Sequence, residues 1–187
     1  MNSGMEFYRL RFEYTGEDSE GKLITQKQED LVVAVNYTDA ETIASEIMAD
    51  MNMTKFYDRV KYEIIKTKIS EIMLTDVFFI DEAFKNEYIL YYLGEEEEDD
   101  DETGLFAVTV VYTEINDNGK SKKTKEDIYV AATNPKEAYT FVQKYLKYAE
   151  TRDWAIRNVK FDKASSVLIT KEMHKSNLYK YENAGLL

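Results

Sequence analysis

The chain is written twice. Phe7-Tyr8-Arg9-Leu10-Arg11-Phe12-Glu13-Tyr14-Thr15 returns 98 positions later as Leu105-Phe106-Ala107-Val108-Thr109-Val110-Val111-Tyr112-Thr113. Tyr14-Thr15 leads to Gly21-Lys22 as Tyr112-Thr113 leads to Gly119-Lys120, and Glu29-Asp30-Leu31-Val32-Val33-Ala34 reads against Glu126-Asp127-Ile128-Tyr129-Val130-Ala131. A duplication constrains the fold more than any single motif. Each copy must form the same supersecondary unit, and a segment without a counterpart marks an addition.

In the first copy Tyr8, Leu10, Phe12 and Tyr14 alternate with Arg9, Arg11 and Glu13, the period of a strand with one buried face. Phe106, Val108, Val110 and Tyr112 take the same places in the second. Gly16-Glu17-Asp18-Ser19-Glu20-Gly21 and Glu114-Ile115-Asn116-Asp117-Asn118-Gly119 are turn chemistry. They predict hairpins returning through Leu31, Val33 and Val35, or Ile128, Val130 and Ala132. A helix is expected to start at Thr38-Asp39 and at Asn134-Pro135. Its apolar stripe is Ala40, Ile43, Ala44 and Ile47, or Ala138, Phe141, Val142 and Tyr145. A loop with an aromatic, near Phe56-Tyr57 or Trp154, then leads into a third strand with Val60 and Tyr62, or Val159 and Phe161.

The expected fold is α+β: two tandem ββαβ repeats related by pseudo-twofold symmetry, with antiparallel sheets each covered by one helix. The repeats span residues 5–75 and 105–170, with an insert at 76–104 and a tail at 171–187. One continuous sheet and two facing lobes both satisfy the pattern. In the tail, Met173, Leu178, Tyr179 and Tyr181 suit a short helix.

With 187 residues, 44% of them apolar, the chain can bury a core. No run approaches the roughly 18 apolar residues of a membrane span, and Met1-Asn2-Ser3-Gly4-Met5-Glu6 lacks the regions of a signal peptide. Zero Cys removes disulfides and thiolate chemistry and fits a reducing compartment. A cytoplasmic protein that does not engage membranes is expected.

The sole His is His174, without an orienting partner nearby in sequence, and no Ser-His-Asp set or Gly-rich phosphate loop can be assembled. No catalytic residue, cofactor or metal site is therefore expected. Glu29-Asp30 and Glu126-Asp127 are the best carboxylate pairs, but without a cleft the first reading of both is a polar strand edge that closes the hairpin. Asp99, Asp100 and Asp101 lack the alternating spacing of a calcium loop.

The charge of −12 is uneven, because eight of the 36 acids lie at residues 95–102 and the remainder carries only −4. That run is Glu95, Glu96, Glu97 and Glu98, then Asp99, Asp100 and Asp101, then Glu102. It follows Glu87-Tyr88-Ile89-Leu90-Tyr91-Tyr92-Leu93, which is too apolar to stay solvated and must pack on the body or on a partner. Tyr88, Tyr91 and Tyr92 with the acidic run are the candidate partner-binding residues. The expected function is a non-catalytic macromolecular interaction protein that binds a protein partner or copies of itself. The alternative is a single-strand nucleic-acid accessory protein using Lys120, Lys122, Lys123 and Lys125 with Tyr112 and Tyr129. A third reading is an acidic nucleic-acid mimic that inhibits a host protein.

The aromatic first strand, Gly-Lys hairpin, second strands Leu31-Val32-Val33-Ala34 and Ile128-Tyr129-Val130-Ala131, Asn/Thr-led helix with Glu137-Ala138, and final strand with Ser70-Glu71 together resemble the family called domain of unknown function 4494. The resemblance runs from Phe7 to Thr170. It implies a protein of bacteria or phages, working in the host cytoplasm or with the virion, and it implies no catalytic residues. Residues 87–102 depart from the family pattern in being longer and far more acidic.

Overall fold

A computed structural model of the chain describes residues 4–55, 59–74, 80–83, 87–94 and 102–186. The protein is α+β, with two sheets and three helices among the described residues. The chain divides into two compact units, each assembled from separated stretches of sequence.

The first unit holds β1 (Glu6–Glu17), β2 (Leu23–Ala34), α1 (Tyr37–Lys55), β3 (Arg59–Thr67), β5 (Ile80–Ala83), β6 (Tyr88–Tyr92) and β10 (Ser166–Thr170). Its sheet runs β3-β1-β2-β10-β6-β5. β1 and β2 form a hairpin from Glu6↔Ala34 to Glu17↔Leu23. The alternation in β1 works as read: Tyr8, Leu10, Phe12 and Tyr14 are buried, as are Ala40, Ile43 and Ala44 of α1. In β2 four consecutive residues, Leu31, Val32, Val33 and Ala34, are buried. A strand with neighbours on both sides and both faces covered gives that pattern. One of those neighbours is β10, which lies parallel to β2 with Ser166 opposite Asp30. A parallel neighbour requires a long crossover, and here the chain passes through the second unit before returning.

The second unit holds β4 (Glu71–Met73), β7 (Gly104–Ile115), β8 (Ser121–Ala132), α2 (Pro135–Ala149), β9 (Asp153–Asp162) and nearly all of α3 (Lys171–Asn183). Its sheet runs β4-β8-β7-β9, with β4 parallel to β8. The β7–β8 hairpin runs from Gly104↔Ala132 to Ile115↔Ser121. Every pair is the first hairpin's pair displaced by 98 positions. Ala138, Val142, Tyr145 and Leu146 of α2 join Phe106, Val108, Val110 and Tyr112 in one core. Tyr181 of α3 completes it, fully buried, its ring edge-on to Tyr145 at 5.7 Å between centroids.

Several sequence expectations shift. The return strands begin at Leu23 and Ser121, well before Leu31 and Ile128, so Glu29-Asp30 lies inside its strand. Polar cross-strand pairs such as Thr15↔Thr25 and Glu13↔Lys27 let a hydrophilic stretch remain a strand. Val35 lies beyond the strand end and is 57% exposed. The first helix is capped two residues earlier than read, at Asn36, and begins at Tyr37. Asn36 Oδ1 accepts from the Asp39 amide at 2.9 Å, and Asp39 Oδ2 accepts from the Val35 amide at 3.1 Å. The second helix has the same device, with Asn134 Oδ1 accepting from Glu137 N (2.8 Å) and Glu137 Oε1 from Thr133 N (3.1 Å). Trp154 sits in β9 opposite Tyr112 rather than in a loop. Phe56 and Tyr57 lie outside the described residues. The uniform displacement of 98 also re-pairs the acids: Glu29 corresponds to Asp127, and Asp30 corresponds to Ile128. Each sheet further carries a parallel strand, β10 or β4, that a ββαβ unit alone does not contain.

Candidate functional site

Glu29 and Asp30 are adjacent in β2, so their side chains leave opposite faces of the sheet and cannot act on one substrate atom. Glu29 lies between Arg11 at 2.7 Å and Arg9 at 3.7 Å. Asp30 is 2% exposed. Its Oδ1 accepts from Ser166 Oγ and, at 3.4 Å, from Ser165 Oγ, while its Oδ2 accepts from Gln28 Nε2 at 2.8 Å. A buried carboxylate held by such donors fastens β10 to β2, since losing one partner would strand a desolvated charge. In the second hairpin the Asp127 carboxylate accepts the Thr109 hydroxyl at 2.8 Å, and the Asp127 carbonyl accepts the Ser70 hydroxyl at 2.8 Å.

Ile128, which corresponds to Asp30, faces Glu71 of β4. Here the parallel strand supplies the carboxylate. Glu71 accepts two bonds of 2.7 Å from Lys180 Nζ and one of 2.8 Å from the Tyr181 hydroxyl, which also donates to the Ile72 carbonyl at 2.6 Å. Burial alone would lower the Lys180 pKa; its bonds to Glu71 and the Glu71 charge outweigh this and raise it. Burial raises the Tyr145 pKa. The tail is therefore docked, with Glu71, Lys180 and Tyr181 as its fastening.

The insert tyrosines separate. Tyr88 and Tyr91 are buried in β6, the Tyr88 hydroxyl donating to the Val33 carbonyl at 3.3 Å, whereas Tyr92 is 43% exposed. Burial, followed by the negative charges of Asp39, Glu87 and Glu46, pushes the Tyr88 pKa up to about 12. Burial also pushes Tyr91 up. Glu95, Glu96, Glu97, Glu98, Asp99, Asp100 and Asp101 lie outside the described residues, and Glu102 is exposed. The two ends of the acidic run are tied together: the Gly94 amide donates to the Thr103 carbonyl at 2.8 Å, and Gly94 bridges to Gly104. Gly94 suits that closure, because an added Cβ would come within 2.9 Å of Glu102 Oε2.

At the far end of the second hairpin, Lys120, Lys122, Lys123 and Lys125 are all exposed. Lys123 and Lys125 share one face of β8 and Lys122 takes the other. The two tyrosines paired with them in the sequence reading are not exposed. Tyr129 is buried, and Tyr112 is buried beneath the Arg152 guanidinium, 3.9 Å from its ring centroid. Arg152 is held in turn by Glu150 at 2.8 and 3.0 Å. Burial, with Glu126 and Glu150 adding to it, pushes the Tyr112 pKa up to about 12. Arg152 holds Glu150 below the usual carboxylate range. The structure thus leaves the lysines open and takes the rings away from them. His174 is half-buried, and burial lowers its pKa. Among the described residues no group of three or more His, Asp or Glu is placed to hold a metal ion.

The two hairpin tips share one turn. Asp18 Oδ1 accepts from the Glu20 and Lys22 amides, and Asn116 Oδ1 accepts from the Asn118 and Lys120 amides. Gly21 and Gly119 follow at φ 76° and 74°, the left-handed region that the turn requires. The charges differ. Residues 17–25 hold three acids and one lysine, and residues 115–123 hold one acid and three lysines.

A family model matches residues 6–170. The chain belongs to the family Domain of unknown function (DUF4494). The DUF4494 match takes in both hairpins, all ten strands found among the described residues, α1 and α2, and it ends at the residue before α3 begins. No curated protein matches the chain. Among the described residues no helix is long and apolar enough to cross a membrane.

Asp30 with Ser165 and Ser166, Glu71 with Lys180 and Tyr181, and Arg152 over Tyr112 were not visible as sites in the sequence. Each joins residues far apart in the chain or in different elements. The one available signal was the reversal of charge between two otherwise matching turns.

Proposed function

We propose that this DUF4494 protein is a non-catalytic macromolecular interaction protein built from two tandem ββαβ repeats. In this reading it binds a protein partner, or further copies of itself, through the acidic segment between them. The observation that carries the reading is the clasp at Gly94 and Thr103, 2.8 Å across. It closes the base of a run of eight consecutive acids between the ordered strands β6 and β7. A like-charge block repels itself, so confining one to a short closed loop raises the local field that a cationic partner meets. Exposed Tyr92 stands two residues before the clasp. The equal registers, matching turns and matching Asn caps of the two hairpin-helix segments support a duplicated body. In the same reading the protein works in the cytoplasm of a bacterial host, or with the virion where a phage encodes it.

The test is to replace every acid of residues 95–102 by its amide and to compare partner capture from host lysate, with identification by mass spectrometry, against the wild type. Loss of a specific partner in the variant, restored capture at low salt only in the wild type, and an unchanged thermal melt are expected. Identical capture profiles would remove the reading.

A further inference from the structure

The tip of the β7–β8 hairpin carries a positive charge that the fold does not consume. None of the ion pairs among the described residues uses the ammonium group of Lys120, Lys122, Lys123 or Lys125. Carboxylates are close in sequence: Glu114 lies opposite Lys122 but is 3.6 Å from Arg152, Asp117 is in the turn, and Asp153 stands opposite Thr113 on β9. The corresponding positions of the first hairpin, Lys22, Ile24, Thr25 and Lys27, hold two lysines in the same backbone. The turn therefore does not require the cluster.

The acids able to answer this charge sit at the opposite end of the same strand. β7 begins at Gly104, where the acidic segment is clasped, and reaches the tip at Ile115. Lys123 pairs with Thr113, nine residues along β7 from Gly104, which at the rise of a strand is about 30 Å. Lys122 and Lys120 lie further still. Residues 95–102 number eight, and their two ends are tied together, so only half the segment can extend in any one direction, about 15 Å at most. The remaining gap exceeds the combined length of a glutamate and a lysine side chain. Within one molecule the acids cannot meet Lys120, Lys122 or Lys123; Lys125, paired with Val111 only seven residues along β7 from Gly104, stays outside the proposed surface.

We propose that the lysine-bearing tip of the β7–β8 hairpin is a docking surface for residues 95–102 of a second copy of the chain. This rests on the reading that the acidic segment is the interaction element, and it names the partner. Donor and acceptor are different patches on each molecule, so the contact is heterologous and leaves one free end of each kind. Copies join head to tail, and growth continues with concentration. Exposed ion pairs are individually weak and screened, so assembly depends steeply on salt.

The test is sedimentation velocity of the full chain across a concentration series at about 0.03 M and about 0.5 M salt, where the screening length falls several-fold. At low salt the weight-average mass should rise with concentration, and at high salt it should remain that of one chain. A variant carrying Lys120→Glu, Lys122→Glu and Lys123→Glu, and a variant with all acids of 95–102 changed to amides, should each stay monomeric at low salt. Mixed in equal amounts, they should form a complex that stops at two chains, since only one productive pair of ends remains. Circular dichroism melts should be unchanged, because the lysines are exposed. A monomeric wild type at low salt, association in either variant alone, or no complex in the mixture overturns the proposal. A labelled single-stranded oligonucleotide that binds the wild type but not the lysine variant, with no self-association, overturns it in favour of nucleic acid. A monomeric wild type that still captures a foreign protein through its acidic segment ends this proposal and leaves the function proposed above intact.

Discussion

The β1–β2 and β7–β8 hairpins have the same length, the same register and the same turn, yet they differ at both ends. At the tip, one carries a net −2 and the other +2 over nine residues. At the base, where a parallel strand joins, the first places the acid on β2 as Asp30, and the second places it on the incoming strand as Glu71. The difference separates two kinds of constraint. The turn needs an Asx side chain and a left-handed glycine and is indifferent to charge beyond them. Each base holds one carboxylate and satisfies it from another element, Ser166 for Asp30 on β2 and Lys180 with Tyr181 for Glu71 on the incoming strand.

The base gives the largest way to break this comparison. Ile128→Asp would set a second, unpartnered carboxylate beside Glu71 in a position only 2% exposed, and should cost about 4 kcal/mol or more. Asp30→Ala removes the carboxylate to which Ser166 Oγ and Gln28 Nε2 donate, for about 2–3 kcal/mol. Asp30→Ile combined with Ser166→Val, which removes acceptor and hydroxyl donor together and leaves an apolar pair, should recover most of that loss. Urea unfolding of the four proteins decides it. A double variant no better than Asp30→Ala would mean that the polar cluster is not exchangeable, and the equivalence of the two bases would fail.

How far the sequence shows this follows from how local each feature is. The alternation of Tyr8, Leu10, Phe12 and Tyr14 and the Asn134-Pro135 cap are written in consecutive residues and can be read directly. Asn36 is harder to see, because Thr38-Asp39 offers an equally good cap two residues on, and only the hydrogen bonds decide between them. The β10 strand is invisible in its own stretch: its partners on β2 lie 136 positions away, and five residues carry no periodicity long enough to register. Asp30 reads as a polar strand edge until the distant Ser166 is placed against it. Of the candidate sites, the lysine tip was legible because charge is a property of the residues themselves. The burial of Tyr112 and Tyr129 beside it depends on Arg152 and on the packing of a whole sheet.

The tips give a smaller effect, expected to be equal in the two hairpins. Gly21→Ala and Gly119→Ala each force a Cβ into the left-handed region, where no atom lies within 4 Å, so backbone strain is the only cost, about 1 kcal/mol each. Gly104→Ala is a useful contrast at the base, since its Cβ would come within 2.8 Å of the Phe161 ring. Thermal melts in which Gly21→Ala and Gly119→Ala differ by more than the error of measurement would show that the turns are not equivalent.

The smallest effect sharpens the comparison through pH. Tyr88 in the first unit and Tyr112 in the second both have pKa values raised to about 12, chiefly by burial. A phenol whose folded pKa lies above its unfolded value of 10 stabilises the fold fully below pH 10, and that contribution is lost as pH rises through 12. Ultraviolet titration of tyrosinate should therefore show a late phase near pH 12, with stability declining as pH rises from 10 toward it. Tyr88 and Tyr112 differ in that Arg152 covers Tyr112 and lowers its pKa, opposing burial. Arg152→Gln removes that cation and frees the Glu150 charge, so the Tyr112 step should move upward while the Tyr88 step stays in place. An unmoved Tyr112 step would mean that the guanidinium does not rest on the ring, and a downward one that covering the ring outweighs its charge, so that losing it opens the tyrosine to solvent.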